Sequence, residues 1–425
     1  MTVDIYSPTA NDGLGLLELE LYNLVMDYRA RNGLPAIPLS AGLTITAGRH
    51  AADTYYNIWE AGLTLPPGAN QHSWSDNFYY EDHRDPEIMW QAPQRLGTTY
   101  PGNGYEASAG GFATPAAALE GWKGSPGHNA VILNLGAWEA QTWNAVGIGI
   151  EHHYPGGAGP VGGSIYHLWF GAEADPGGAP AISGDSGGNV MTGTGFGDRI
   201  LGLDGADRLL GGDGNDTLEG GDGPDTLNGG NGDDLIAGGD TEADRRDVIY
   251  AGAGDDSVDG GHGNDQIYGQ DGEDTLAGGF GADTLEGQAG DDVITGSAFG
   301  DQVFGNAGND FVNGGFGHDL INGGSGADKF FHVGIEGHGS DWVQDYSSTE
   351  GDVLVFGNAA ATAADFRVTF AHTENREGER AGEDGVEEAF VIYRPTGQVM
   401  WALVDGGGQA SVNLRIGAEI FDLLA

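Results

Sequence analysis

Between residues 193 and 331 the chain repeats every nine residues, and this period limits the fold more than any other feature. Units start at Gly193, Gly202, Gly211, Gly220, Gly229 and Gly238. The unit at Gly238 is stretched by Thr241–Arg246 and is followed by one from Ala251. The register then resumes at Gly260, Gly269, Gly278, Gly287, Gly296, Gly305, Gly314 and Gly323. The best copies are GGDGNDTLE (211–219), GGDGPDTLN (220–228) and GGFGADTLE (278–286). The sixth slot is always acidic: Asp198, Asp207, Asp216, Asp225, Asp234, Asp247, Asp256, Asp265, Asp274, Asp283, Asp292, Asp301, Asp310, Asp319 and Asp328. The eighth slot is always apolar, from Ile200 and Leu209 through to Ile321 and Phe330. A disordered Gly/Asp linker would keep neither rule.

Each slot has a physical reason. One apolar side chain per unit cannot make a core, but stacked units can bury a thin continuous one. The Gly-rich half must turn sharply, and glycine permits positive φ there. Stacking then brings carboxylates and turn carbonyls together. An all-oxygen cage with flexible coordination suits Ca²⁺ better than Mg²⁺. Without the cation the carboxylates repel, so metal binding is expected to be folding. Phe299 at a fourth slot, and Gln270 and Gln288 at second slots, depart from the glycine rule.

The totals agree. The chain has 425 residues, 80 Gly, no Cys, and 64 acidic against 16 basic residues, for a formal charge of −48. A nucleic acid or anionic membrane surface is a poor partner for such a chain, and dissolved cations are natural ones. The absence of Cys excludes disulfides, thiol catalysis and Cys-ligated zinc. No apolar run reaches the ~20 residues of a membrane span, and Met1–Asn11 has no secretory signal pattern.

The repeats resemble the RTX family, G-G-x-G-x-D-x-U-x. The resemblance implies a parallel β-roll carrying rows of Ca²⁺ on the fifteen aspartates above. It also implies a secreted, extracellular or cell-surface protein, exported by type I secretion machinery that reads a C-terminal signal. The C-terminal segment 332–425 reads as a β-rich cap, with strands expected at 352–357, 366–370, 389–394, 398–404 and 412–416.

The N-terminal segment 1–175 reads as α plus β, followed by a linker and weak first repeat at 176–192. Leu17, Leu21, Leu24, Val25 and Tyr28 lie on one helical face; further helices are expected at 41–61 and 115–123, and strands at 145–150 and 164–170. Gly104-Tyr105-Glu106 reads as a loop. His50 reads as a packing or surface residue of the second helix, and His152, His153 and His167 as strand-end residues. No G-x-S-x-G, H-E-x-x-H or Walker motif occurs, and Val161-Gly162-Gly163-Ser164 is too generic for a phosphate loop.

The order of these pieces resembles the CAP superfamily in its bacterial SCP-like form. The residues carrying the likeness are Asn32-Gly33-Leu34 after the first helix, His50-Ala51-Ala52-Asp53, His72-Ser73, Trp122 to Ser125-Pro126-Gly127-His128, and Val146-Gly147-Ile148-Gly149. The resemblance implies an α-β-α sandwich with a cavity lined by two His and two acids. His72 and His128 match the histidines and Glu106 the first acid, while Ser125 stands where the second acid falls. The remaining set could be a hydrogen-bonded cluster, a site for a divalent ion such as Zn²⁺, or a hydrolytic centre.

The expected architecture is therefore multidomain: an N-terminal α-β-α sandwich, a central parallel β-roll at 193–331, and a C-terminal β-rich cap. The expected function is calcium-dependent folding outside the cell, with the first domain binding a lipid, glycan or protein ligand or serving adhesion. The alternatives are a metal-assisted protease or hydrolase using His72, Glu106 and His128, and a structural surface or matrix protein.

Overall fold

The computed structural model describes residues 2–152, 163–373, 382–383 and 385–425. His153 and the Val161-Gly162 pair fall outside them. The chain divides into two compact units, residues 1–184 with 194–199, and residues 185–193 with 200–425.

The first unit runs α1 (Leu16–Arg31), α2 (Ala41–Ala52) with a π-helical continuation over Asp53–Glu60, short helices α3 (Glu87–Trp90) and α4 (Ala92–Arg95), β1 (Gly104–Phe112), α5 (Pro115–Gly124), α6 (Pro126–Ile132), β2 (Ala145–Glu151) and β3 (Ser164–Gly171). The α1 residues buried outright are Leu19, Leu21, Tyr22, Val25, Met26 and Arg29, whereas Leu17, Leu24 and Tyr28 of the expected face are half-buried. The strands form one antiparallel sheet in the order β1-β3-β2.

Glu106 lies within β1 rather than in a loop. Small side chains in GYEASAGGF hide the strand's pattern, and the long apolar β3 supplies its partner. Gly147 and Gly149 of β2 let α2 lie directly on the sheet. A Cβ on Gly147 would sit 2.1 Å from the Leu43 carbonyl carbon, and one on Gly149 would sit 2.2 Å from that of Ala47.

The second unit is dominated by a parallel β-solenoid. Strands of alternate nonapeptides pair in register, so two sheets face each other: Ile267 lies beside Leu285, and Leu276 beside Ile294. The eighth-slot side chains from Ile200 to Phe330 point inward and are 0–3 % exposed. The stretched unit keeps register, because Val248 still pairs with Thr226.

Both sheets continue past residue 331. Val353–Phe356 adds in parallel to Lys329–His332, and Asp341–Val343 adds in parallel to Leu320–Ser325. Gln398–Leu403 and Asn413–Ile416 extend them further. Antiparallel strands Phe366–Ala371, Glu388–Tyr393 and Glu419–Asp422 then finish the β-rich end. No helix among the described residues is long and apolar enough to cross a membrane.

Candidate functional site

The sixth-slot aspartates form a ladder inside the solenoid turns. The backbone N–H of each donates to Oδ1 of the aspartate two units later, at 2.7–3.0 Å from Asp207→Asp225 to Asp310→Asp328. This bond fixes one carboxylate oxygen. In Asp207, and in every rung from Asp225 to Asp328, the other oxygen, Oδ2, is buried with no hydrogen-bond partner. First-slot glycines keep space beside it: a Cβ on Gly269 would sit 2.4 Å from Asp274 Oδ2 and 2.6 Å from the Gly287 carbonyl oxygen. Asp198 differs, since its Oδ2 accepts from the Thr194 N–H at 2.5 Å.

Rungs also occur where the nonapeptide has lapsed. Asn189 N–H donates to Asp207 Oδ1 at 2.7 Å, and Asp328 N–H to Asp352 Oδ1 at 3.0 Å. Trp342 pairs with Leu320, so Asp341 stands next to Asp319, fully buried, and burial together with the Asp319 carboxylate pushes its carboxyl well above the usual range. Reading by glycine missed Asp341 and Asp352. The surviving signal is the triplet Asp-x-apolar, in Asp341-Trp342-Val343 and Asp352-Val353-Leu354, which keeps slots six and eight without the turn half.

In the first unit His72, Glu106 and His128 line one cavity of about 420 Å³, with His83, Trp90, Tyr105 and Trp138 among its other walls. Ser125 does not line it; it sits between α5 and α6, half-buried. His72 Nδ1 meets Glu106 Oε2 at 2.6 Å, and the His72 and His128 rings are 6.3 Å apart. Burial, together with His72, pushes His128 below its ordinary value.

Two further histidines close on Glu106 from behind. His50 Nδ1 meets Oε1 at 2.6 Å, its Nε2 donates to the Ser73 carbonyl at 3.1 Å, and its ring stacks on Trp74 at 4.1 Å. His167 Nδ1 lies against the same Oε1, though neither of its ring nitrogens has a hydrogen-bond partner of normal geometry. His167 is therefore not a strand-end residue: it is the fourth of eight in β3 and wholly buried. His50 is no surface residue either, because α2 presses it onto the sheet. The readable signal was a histidine on the same strand face as Trp169, where burial demands a partner.

The family model for the RTX calcium-binding nonapeptide repeat, built of four copies, matches residues 183–218, 210–240, 243–276, 268–303 and 295–330. Residues 183–330 are RTX calcium-binding repeats. The comparison with curated proteins finds no match.

The electrostatics of the RTX roll fit its ion. Burial of the carboxyl groups is the largest influence along the ladder and raises them, to about 6 at Asp225 and Asp283, about 7 at Asp256, Asp265, Asp292 and Asp301, and about 9 at Asp247. Neighbouring rungs repel and raise several further, as Asp274 does Asp256. A buried carboxylate oxygen with no donor is costly unless something positive meets it. The oxygen-only donor set, repeated down the roll, is suited to Ca²⁺.

Proposed function

We propose that this is an exported protein whose RTX roll folds on Ca²⁺ outside the cell and displays an N-terminal ligand-binding module. The observation that supports it best is the column of buried Oδ2 atoms with no internal donor. Such a column is unfavourable at the low Ca²⁺ of a cytosol and favourable at millimolar Ca²⁺, so the chain is export-competent before folding and compact after it. Residues 207–328 would hold the ions, with Asp341 extending the series, whereas Asp352 has both oxygens engaged by the Asp328 and Ser347 N–H groups. Type I secretion through a C-terminal signal is the route consistent with RTX repeats.

For the N-terminal unit we favour binding over catalysis. Its cavity presents aromatic walls with a few converging polar groups, the usual make-up of a ligand pocket. His72, oriented by Glu106, and His128 supply the polar end. No Ser, Thr, Cys or Lys stands with them among the described residues that line it. A CAP-like fold, the lipid, glycan or protein nature of the ligand, and a hydrolytic alternative through His72, Glu106 and His128 all remain part of this proposal.

Calcium titration of the full chain tests the first half. β circular dichroism and protease resistance should appear between submicromolar and millimolar Ca²⁺; a roll already formed in excess chelator would overturn it. Replacing His72 and His128 by Ala tests the second. Loss of a hydrolytic activity with the fold intact favours the enzyme, whereas weakened ligand capture in the variant, with no hydrolysis by the wild type, favours the module.

A further inference from the structure

We propose that His50, Glu106 and His167 bind one divalent ion of the zinc class, at a site separate from the RTX roll and behind the cavity wall. One ligand atom from each lies within 4.8 Å of the other two, and all three side chains are wholly buried. Two imidazoles and one carboxylate form a nitrogen-and-oxygen set, which suits Zn²⁺ and does not suit Ca²⁺.

The surroundings are those of a metal site. His50 turns Nε2 onto the Ser73 carbonyl at 3.1 Å, which leaves Nδ1 as its ligand atom. Metal-ligating histidines ordinarily carry such an outer bond. Glu106 is held through its second oxygen by His72 Nδ1 at 2.6 Å, so Oε1 is aimed inward. His167 supplies the independent sign: its ring is completely buried, its Nδ1 converges on the same Glu106 Oε1 as His50 Nδ1, and its Nε2 has no hydrogen-bond partner. Two imidazole nitrogens crowded onto one buried carboxylate oxygen need a shared proton or a shared cation between them.

The ligands come from α2, β1 and β3, and β1 and β3 are paired strands. Glu106 faces Trp169 and His167 faces Ser108, so Glu106 and His167 are diagonal neighbours on one sheet face. An ion there would tie the helix to the sheet. The site is closed to solvent, which distinguishes it from the cavity pair His72 and His128. The competing arrangement is an ion pair in which a proton on each His50 nitrogen replaces the metal.

The test uses the full chain at constant millimolar Ca²⁺, equilibrated with Zn²⁺ and dialysed. Elemental analysis should find stoichiometric zinc in the wild type and in His128→Gln, and only trace zinc in the double variant His50→Gln/His167→Gln. His72→Gln should weaken zinc binding by about 10–100-fold, as loss of an outer-shell partner does. Should the double variant not fold, the wild-type zinc X-ray absorption spectrum decides, with two imidazole nitrogens and a carboxylate oxygen expected. Trace zinc in the equilibrated wild type, zinc that survives the double variant, or nitrogen NMR showing both His50 nitrogens protonated after equilibration would each overturn the proposal. Because Ca²⁺ is held fixed, none of these outcomes bears on the RTX roll.

Discussion

The N–H of Asp265 donates to Oδ1 of Asp283 at 2.8 Å and leaves Oδ2 of Asp283 buried without a donor. One carboxylate thus does two jobs. Its first oxygen sets the spacing of alternate turns, and its second waits for a cation. The same division recurs along the roll, so the response to pH and calcium should be collective.

Protons and calcium compete for the ladder. In the calcium-free roll, burial holds Asp256, Asp265, Asp292 and Asp301 at about 7, above the ~3.9 of an unfolded Asp. A group raised in the folded state contributes stability that is complete below the unfolded value and lost as pH rises through the folded one. Calcium-free protein should therefore hold more β structure near pH 4.5 than at pH 8. Adding Ca²⁺ at pH 7 should release protons, and apparent affinity should rise with pH. Circular dichroism and a pH-stat titration check this, and equal structure at both pH values without calcium would remove the basis of the ladder argument.

Asp274→Asn separates the two jobs. Asn keeps an oxygen to accept from the Asp256 N–H, a bond of 2.9 Å, but loses the charge. The roll should keep its turn spacing and lose one or two ions near that unit, because repeat arrays couple mainly to their neighbours. Stability in saturating calcium should fall by about 1–3 kcal/mol. Calcium counting with hydrogen exchange resolved along the roll is the measurement. Release of ions along the whole ladder would mean that the rungs do not act locally.

Phe299 occupies a fourth slot where most other units place glycine, and it takes φ 85° there while 64 % exposed. A side chain in the left-handed region costs roughly 1–2 kcal/mol, and this one recovers little by burial. Phe299→Gly should raise the calcium-saturated stability of the roll by about 1 kcal/mol, read as a higher denaturant midpoint at unchanged slope. In contrast, Gly281→Ala should destabilise it, since the new Cβ would sit 1.5 Å from the Gly263 carbonyl oxygen.

The period of nine made the solenoid legible, because slots six and eight report side-chain direction directly. Where the glycine half lapses, as at Asp341 and Asp352, the rung persists in space while the motif vanishes from the sequence. The N-terminal unit was less transparent. Glu106 and His72 could be named from the chain, but β1 is written in small residues whose strand character comes from pairing with β3. His50 and His167 are 117 positions apart, and their rings stack at 4.2 Å only because two glycines of β2 admit α2 to the sheet. No local pattern encodes that approach.

Gly149 therefore carries a prediction of its own. A methyl group there would lie 2.2 Å from the Ala47 carbonyl carbon and the Gly48 nitrogen, both backbone atoms of α2 that cannot rotate away. Gly149→Ala must push the helix off β2, which draws His50 from Glu106 and from the face of Trp74. Overpacking of this kind costs about 1–3 kcal/mol, so at constant calcium the N-terminal melting transition should fall by several degrees and the near-ultraviolet signal of the aromatic residues should change. Gly124→Ala is the control, because no atom lies within 4 Å of its new Cβ. If the two variants melt alike, α2 does not rest on those glycines, and the convergence of His50, Glu106 and His167 needs another explanation.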